Sequence, residues 1–164
     1  MFATRADLLA RSNARRLAQL AVPADMGMVA DEALRVAISG GDVTGYSAAD
    51  QAALVAALDA IDKALADAQA LLLSYGLPDT LQTTLVARFA STIALYYLQG
   101  AERMTDDVQR AYEAVIATLK AHVRGELDLI PPTAGETVLP EDAVLFGSEG
   151  RRYQSVSSQN WDLP

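Results

Sequence analysis

SAADQAALVAALDAIDKALADAQALLLS, residues 47–74, sets Leu54, Leu58, Ile61, Leu65, Ala68 and Leu72 at successive spacings of four, three, four, three and four. That is one apolar stripe on a helix of 3.6 residues per turn, a period no strand follows. Ser47 offers an N-cap hydroxyl with Asp50 three residues on, while Gly76 and Pro78 mark the stop. The helix would be roughly 40 Å long at 1.5 Å per residue. Asp59, Asp62, Lys63 and Asp67 lie off the stripe, where Asp59–Lys63 and Lys63–Asp67 can pair at i,i+4.

On the C-terminal side, a second helix is expected from Asp79 or Thr80 to Gln99, with Gly100 as its stop. Leu81, Leu85, Phe89, Ile93 and Tyr96 or Tyr97 line one side, and Val86, Ala90, Ala94, Leu95 and Leu98 make it apolar nearly all round. Such a helix belongs at the centre of a bundle or in a subunit interface. Its one charge after Asp79 is Arg88, for which Asp7 and Asp107 are the candidate partners. A third long helix is capped by Thr105 and carries Val108, Tyr112, Val115, Leu119 and Val123 as its stripe. It has an Asp106–Arg110 pair and ends at Gly125.

On the N-terminal side the pieces are shorter. Thr4-Arg5-Ala6-Asp7 reads as a cap with an acid standing in for the Glu or Gln of a capping box. Asn13 can cap a second short helix that Pro23 ends, and residues 29–38 form a third before Ser39-Gly40-Gly41-Asp42. The fold class is therefore all-α: a bundle of three longer and two or three short helices with an extended C-terminal tail. Residues 1–130 make the helical domain. Residues 131–164 make an arm punctuated by Pro131, Pro132, Gly135, Pro140, Gly147 and Gly150, with short extended pieces at Thr137–Leu139 and Ala143–Phe146. The arm cannot hold a core of its own, yet it carries Val144, Leu145, Phe146, Tyr153 and Trp161. It is expected to become ordered by lying across a neighbouring subunit or partner.

Composition narrows the function. Thirteen Lys and Arg against twenty-one Asp and Glu leave a net charge of −8. The tightest basic groups are Arg11, Arg15 and Arg16, then Arg151 and Arg152, which argues against a dedicated nucleic-acid binder. The absence of cysteine excludes disulfides, thiolate catalysis and Cys-ligated zinc. The best candidate run, Phe89 to Leu98, is about half a membrane span. His122 is the one histidine, without an HExxH or Glu-x-x-His context, and reads as a helix-end or half-buried side chain. The loop Ser39–Gly45 lacks the Lys of a phosphate-binding loop and the carboxylates of a calcium loop. No catalytic residue, metal site or cofactor is expected, and the chain reads as a non-enzyme. Interface residues are expected in the arm, at Phe146, Arg151, Arg152, Tyr153 and Trp161, because aromatics beside arginines anchor interfaces.

Three segments together resemble the Mu-like phage neck family. Phe2-Ala3-Thr4-Arg5-Ala6-Asp7-Leu8 is similar to that family's aromatic-Ala-Thr-x-x-Asp-Leu start. Leu85-Val86-Ala87-Arg88-Phe89-Ala90 through Ile93-Ala94-Leu95-Tyr96-Tyr97-Leu98 resembles its Arg-centred central helix. Val108-Gln109-Arg110-Ala111-Tyr112-Glu113-Ala114, with Leu119 and Gly125 through Leu129, resembles its last helix and exit. Arg152-Tyr153-Gln154-Ser155 is loosely similar to a basic-aromatic motif near the family's end. The chain departs from the pattern in an expanded 24–46 region and an expanded Ala-rich helix, and it lacks a clear Arg-Asp pair after the tail aromatic.

The resemblance implies a structural adaptor of a phage neck, a head–tail connector or head-completion protein. Copies would form a cyclic homo-oligomer, commonly twelve-fold, between the portal protein and a tail-side neck or stopper protein. DNA would only pass through the channel, past an acidic wall, and no membrane is involved. The protein would be assembled in the host cytoplasm and reside in the virion neck. The alternatives are a tail-completion or stopper protein, a transient assembly factor, and a small helical enzyme or regulator. A regulator would need a basic recognition helix, which is missing.

Overall fold

Caps written into the sequence start and stop most of the elements. The computed structural model describes residues 1–100 and 103–131. Among them are six helices and no strand: α1 (Arg5–Arg11), α2 (Ala14–Ala21), α3 (Asp31–Ile38), α4 (Ala48–Ser74), α5 (Thr84–Gln99) and α6 (Asp106–Val123). This is the all-α arrangement of three short and three longer helices. The arm's expected extended pieces lie outside the described residues.

The N-terminal signature has a physical basis. Asp7 accepts from the backbone N–H of Thr4 at 2.8 Å and from its hydroxyl at 2.7 Å, while Thr4 caps the Asp7 N–H. These bonds hold the Asp7 carboxyl below the usual range, the Thr4 hydroxyl contributing most. Phe2 and Ala3 before the cap and Leu8 after it are all buried in one core. Asn13 caps α2, its side-chain oxygen accepting from Arg16 N–H at 2.7 Å. Thr105, by contrast, precedes α6 without a side-chain cap bond.

Ser47 caps α4 as its spacing predicts, accepting from Asp50 N–H at 3.1 Å. At the other end Gly76 adopts φ 86°. Its N–H reaches Leu73 C=O at 2.9 Å, and the N–H of Leu77 reaches Leu72 C=O at 3.4 Å. This is a Schellman stop, with Leu72 and Leu77 both buried beneath it.

α4 and α5 share the most extensive helix–helix contact. α1 and α2 pack against both, α3 against α4, and α6 against α5. α4 turns Leu54, Ile61, Leu65 and Leu72 inward with Ala53, Ala57, Ala64 and Ala68 between them; Leu58 packs at the edge of the core. The small alanines let neighbouring helices approach, and each buried Leu or Ile stabilises by roughly 1.5–3 kcal/mol.

Five expectations need correction. α5 begins at Thr84, not at Asp79 or Thr80. A turn closes first, with Leu81 N–H donating to Pro78 C=O at 3.0 Å, and Thr83 then caps Val86 N–H at 3.2 Å. Leu81 is buried, but as a loop residue. On α5 the inward face is Val86, Phe89, Ala90, Ile93 and Ala94, leaving Leu85 45% exposed. On α6 only Val115 and Leu119 are buried, and Val123 stands 63% exposed. Arg110 pairs with Asp107 at 2.8 Å and gives Asp106 only a backbone bond at 3.2 Å. Asp59–Lys63 forms at 2.6 Å; no ion pair between Lys63 and Asp67 is present among the described residues.

Candidate functional site

The interface residues expected in the arm, Phe146, Arg151, Arg152, Tyr153 and Trp161, lie outside the described residues. The other candidates are placed. His122 sits at the end of α6, where its Nδ1 lies 3.1 Å from Leu127 C=O and 3.4 Å from Leu129 N. It pins the exit segment that follows Gly125, a helix-end role. In the Ser39–Gly45 loop, Asp42 accepts from Thr44 N–H at 2.8 Å and from its hydroxyl at 2.9 Å. These bonds lower the Asp42 carboxyl's pKa, the backbone bond most, and the carboxylate serves its own turn.

Arg88 is exposed, and neither Asp7 nor Asp107 pairs with it among the described residues. It borders a groove between α1, α5 and α6 that Asp107 also borders. Because α4 covers the opposite side of α5, Arg88 falls at a helix edge rather than within the bundle. Nearby, Tyr96 of α5 stacks on Tyr112 of α6 with centroids 3.9 Å apart and planes 12° apart, and Tyr97 meets Tyr96 edge-on at 5.9 Å. Partial burial, with Tyr112 alongside, raises the Tyr97 phenol. These rings do what apolar helix faces predict: they join α5 to α6.

One feature escapes the linear sequence. The ends of α2, α5 and the approach to α6 enclose an open cleft of about 800 Å³, whose charged lining is Arg15, Arg16, Arg103 and Asp107. Arg11 and Arg16 border its extension toward α1. Asp107 is already bound to Arg110, and Arg103 donates to the neutral backbone carbonyl of Gln19. The cleft is thus strongly basic in a chain of net charge −8. Gln99, 4% exposed, borders both openings, and its side-chain carbonyl oxygen accepts from no partner among the described residues. Leu20 and the exposed Met28 add an apolar wall. Arg11, Arg15 and Arg16 were visible as a group in sequence; Gln99 and Arg103 join them only through folding.

Among the described residues, no set of three His, Asp or Glu side chains is placed to hold a metal ion, and no helix is long and apolar enough to cross a membrane. No curated protein and no solved structure matches the chain significantly. A family model does match, described as bacteriophage Mu, Gp36, and the match spans residues 2–147. That range takes in all six helices and runs on into the arm. The chain therefore belongs to the bacteriophage Mu Gp36 family.

Proposed function

We propose that this phage structural or morphogenesis protein is an adaptor of the neck, forming a ring between portal and tail. Family membership gives the coarser role. The observation that supports the finer one is the surface around the end of α6. This 18-residue helix buries only Val115 and Leu119, and Val123 at its end is exposed, as are Leu127 and Ile130 in the segment that follows. An amphipathic helix seated on one neighbour with an apolar strip still open is suited to a second copy. Head-to-tail contacts of this kind place different patches on the two sides of a subunit and close into a ring when the rotation allows.

The test is the mass of the purified protein in solution, alone and mixed with portal. A high-order species of fixed copy number on portal supports the adaptor. A single copy under both conditions removes it.

A further inference from the structure

The basic cleft between α2, α5 and the start of α6 carries chemistry that the ring alone does not use. We propose that it receives the acidic stretch of the C-terminal arm, Glu136-Thr137-Val138-Leu139-Pro140-Glu141-Asp142, from a neighbouring copy. The inference rests on the adaptor reading and names the contact that would link its subunits.

Three features select this occupant. First, Arg15, Arg16 and Arg103 present positive charge, and the one acid among them, Asp107, is engaged by Arg110. Carboxylates are the matching groups, and arginine binds them through two parallel N–H donors. Second, the buried side-chain oxygen of Gln99, a residue that lines the cleft, is an acceptor without a donor among the described residues. A buried acceptor left this way keeps a desolvation cost that a nearby donor would relieve. A peptide brings backbone N–H groups; a nucleic-acid backbone brings phosphate oxygens, which are acceptors only. Third, Leu20 and Met28 offer apolar contact for Val138 and Leu139.

The adaptor reading calls for contacts between copies, and the segment is assigned to a neighbour on that ground. Leu129 is tied to His122 at 3.4 Å, and His122 stands about 22 Å from Asp107 along α6 at 1.5 Å per residue. Fully drawn out, the chain spans at most about 24 Å from Leu129 to Glu136 and about 41 Å to Glu141. A chain's own arm therefore also reaches the cleft, and the mixing experiment separates the two.

The experiment uses full-length protein and two charge-reversed variants, R15E/R16E and E141K/D142K, with mass in solution as the readout. Arg15 and Arg16 are exposed in the first turn of α2, where acids suit the helix dipole, so the fold tolerates the change. Each variant alone should associate roughly tenfold or more weakly than the native chain. Equal mixing of the two should restore association, because each cleft then meets an opposite arm on its neighbour. Helix content, read by circular dichroism, should stay unchanged in both.

Native-like assembly of either variant alone overturns the inference and leaves the adaptor reading standing. Restoration only when all four changes share one chain, and not on mixing, overturns it in favour of a chain binding its own arm. Retention of duplex DNA by the native protein that R15E/R16E loses and E141K/D142K keeps overturns it in favour of a phosphate-backbone site. A native chain that stays single-copy even with portal removes the adaptor reading itself, and this inference with it.

Discussion

Arg5, in the first turn of α1, grips Asp62, midway along α4, through two parallel guanidinium–carboxylate hydrogen bonds. Nε reaches Oδ1 at 2.7 Å and Nη2 reaches Oδ2. The pair fastens the N-terminal segment to the longest helix across 57 residues of chain. Both side chains are part exposed, at 37% and 43%, so water screens the attraction, while the fork geometry keeps it above the ordinary surface pair.

Asp62→Asn should lower stability by roughly 0.5–1 kcal/mol at neutral pH. The Arg5 hydrogen bond holds the Asp62 carboxyl below its ordinary range, so its folded pKa lies under its unfolded value. Such a group stabilises fully above the unfolded pKa of about 3.9 and loses that contribution as pH falls through the folded pKa. Urea midpoints of the native and D62N proteins should therefore differ at pH 7 and converge on acidification. Asp7, also depressed, is present in both proteins and cancels. A gap that persists undiminished below pH 3 would contradict the ion-pair origin.

Two substitutions on α5 separate its faces. Ile93 is fully buried, so Ile93→Ala should cost about 2–5 kcal/mol. Leu85 is 45% exposed, so Leu85→Ala should stay within about 0.5 kcal/mol. Thermal or chemical denaturation of the two variants decides the matter, and comparable losses would mean the inward face has been misassigned.

Gly76→Ala should destabilise by about 1 kcal/mol, because φ 86° lies where a Cβ is strained. A Cβ there meets nothing within 4 Å, so the loss is conformational rather than steric. Gly27→Ala is the control: it too meets nothing, and its φ is not positive. Its midpoint should match or exceed that of the native chain.

On the proposal that the arm binds other subunits, Trp161→Ala and Tyr153→Ala should leave the melting of the isolated fold unchanged and weaken assembly. Parallel loss of helix signal in both would place these side chains in the core instead of an interface.

Much of the fold was legible because its signals are local. Thr4 with Asp7, Asn13, Ser47 and Gly76 act within one turn of chain, and each does what its spacing predicts. The Leu54-to-Leu72 stripe orients α4 because that helix has a polar side to contrast with it. α5 was harder. With apolar residues on nearly every side, its periodicity names no inward face, and only the packing of α4, α1 and α6 around it buries Ile93 and Val86 while leaving Leu85 outside. Its start was misplaced because Asp79 and Thr80 read as helix starts; the Pro78–Leu81 turn consumes both, and Thr83 caps the helix instead.

The amino-acid sequence by itself determined the helical class, most helix ends and the family, through residue periodicity, capping chemistry and ordered motifs that need no knowledge of distant neighbours. The tertiary structure alone decided that Arg5 meets Asp62, that Gln99 is buried without a donor among the described residues, and that Arg15, Arg16 and Arg103 share one cleft. Those relationships join segments tens of residues apart. They are set by how helices pack, and a spacing rule confined to one turn carries no information about them.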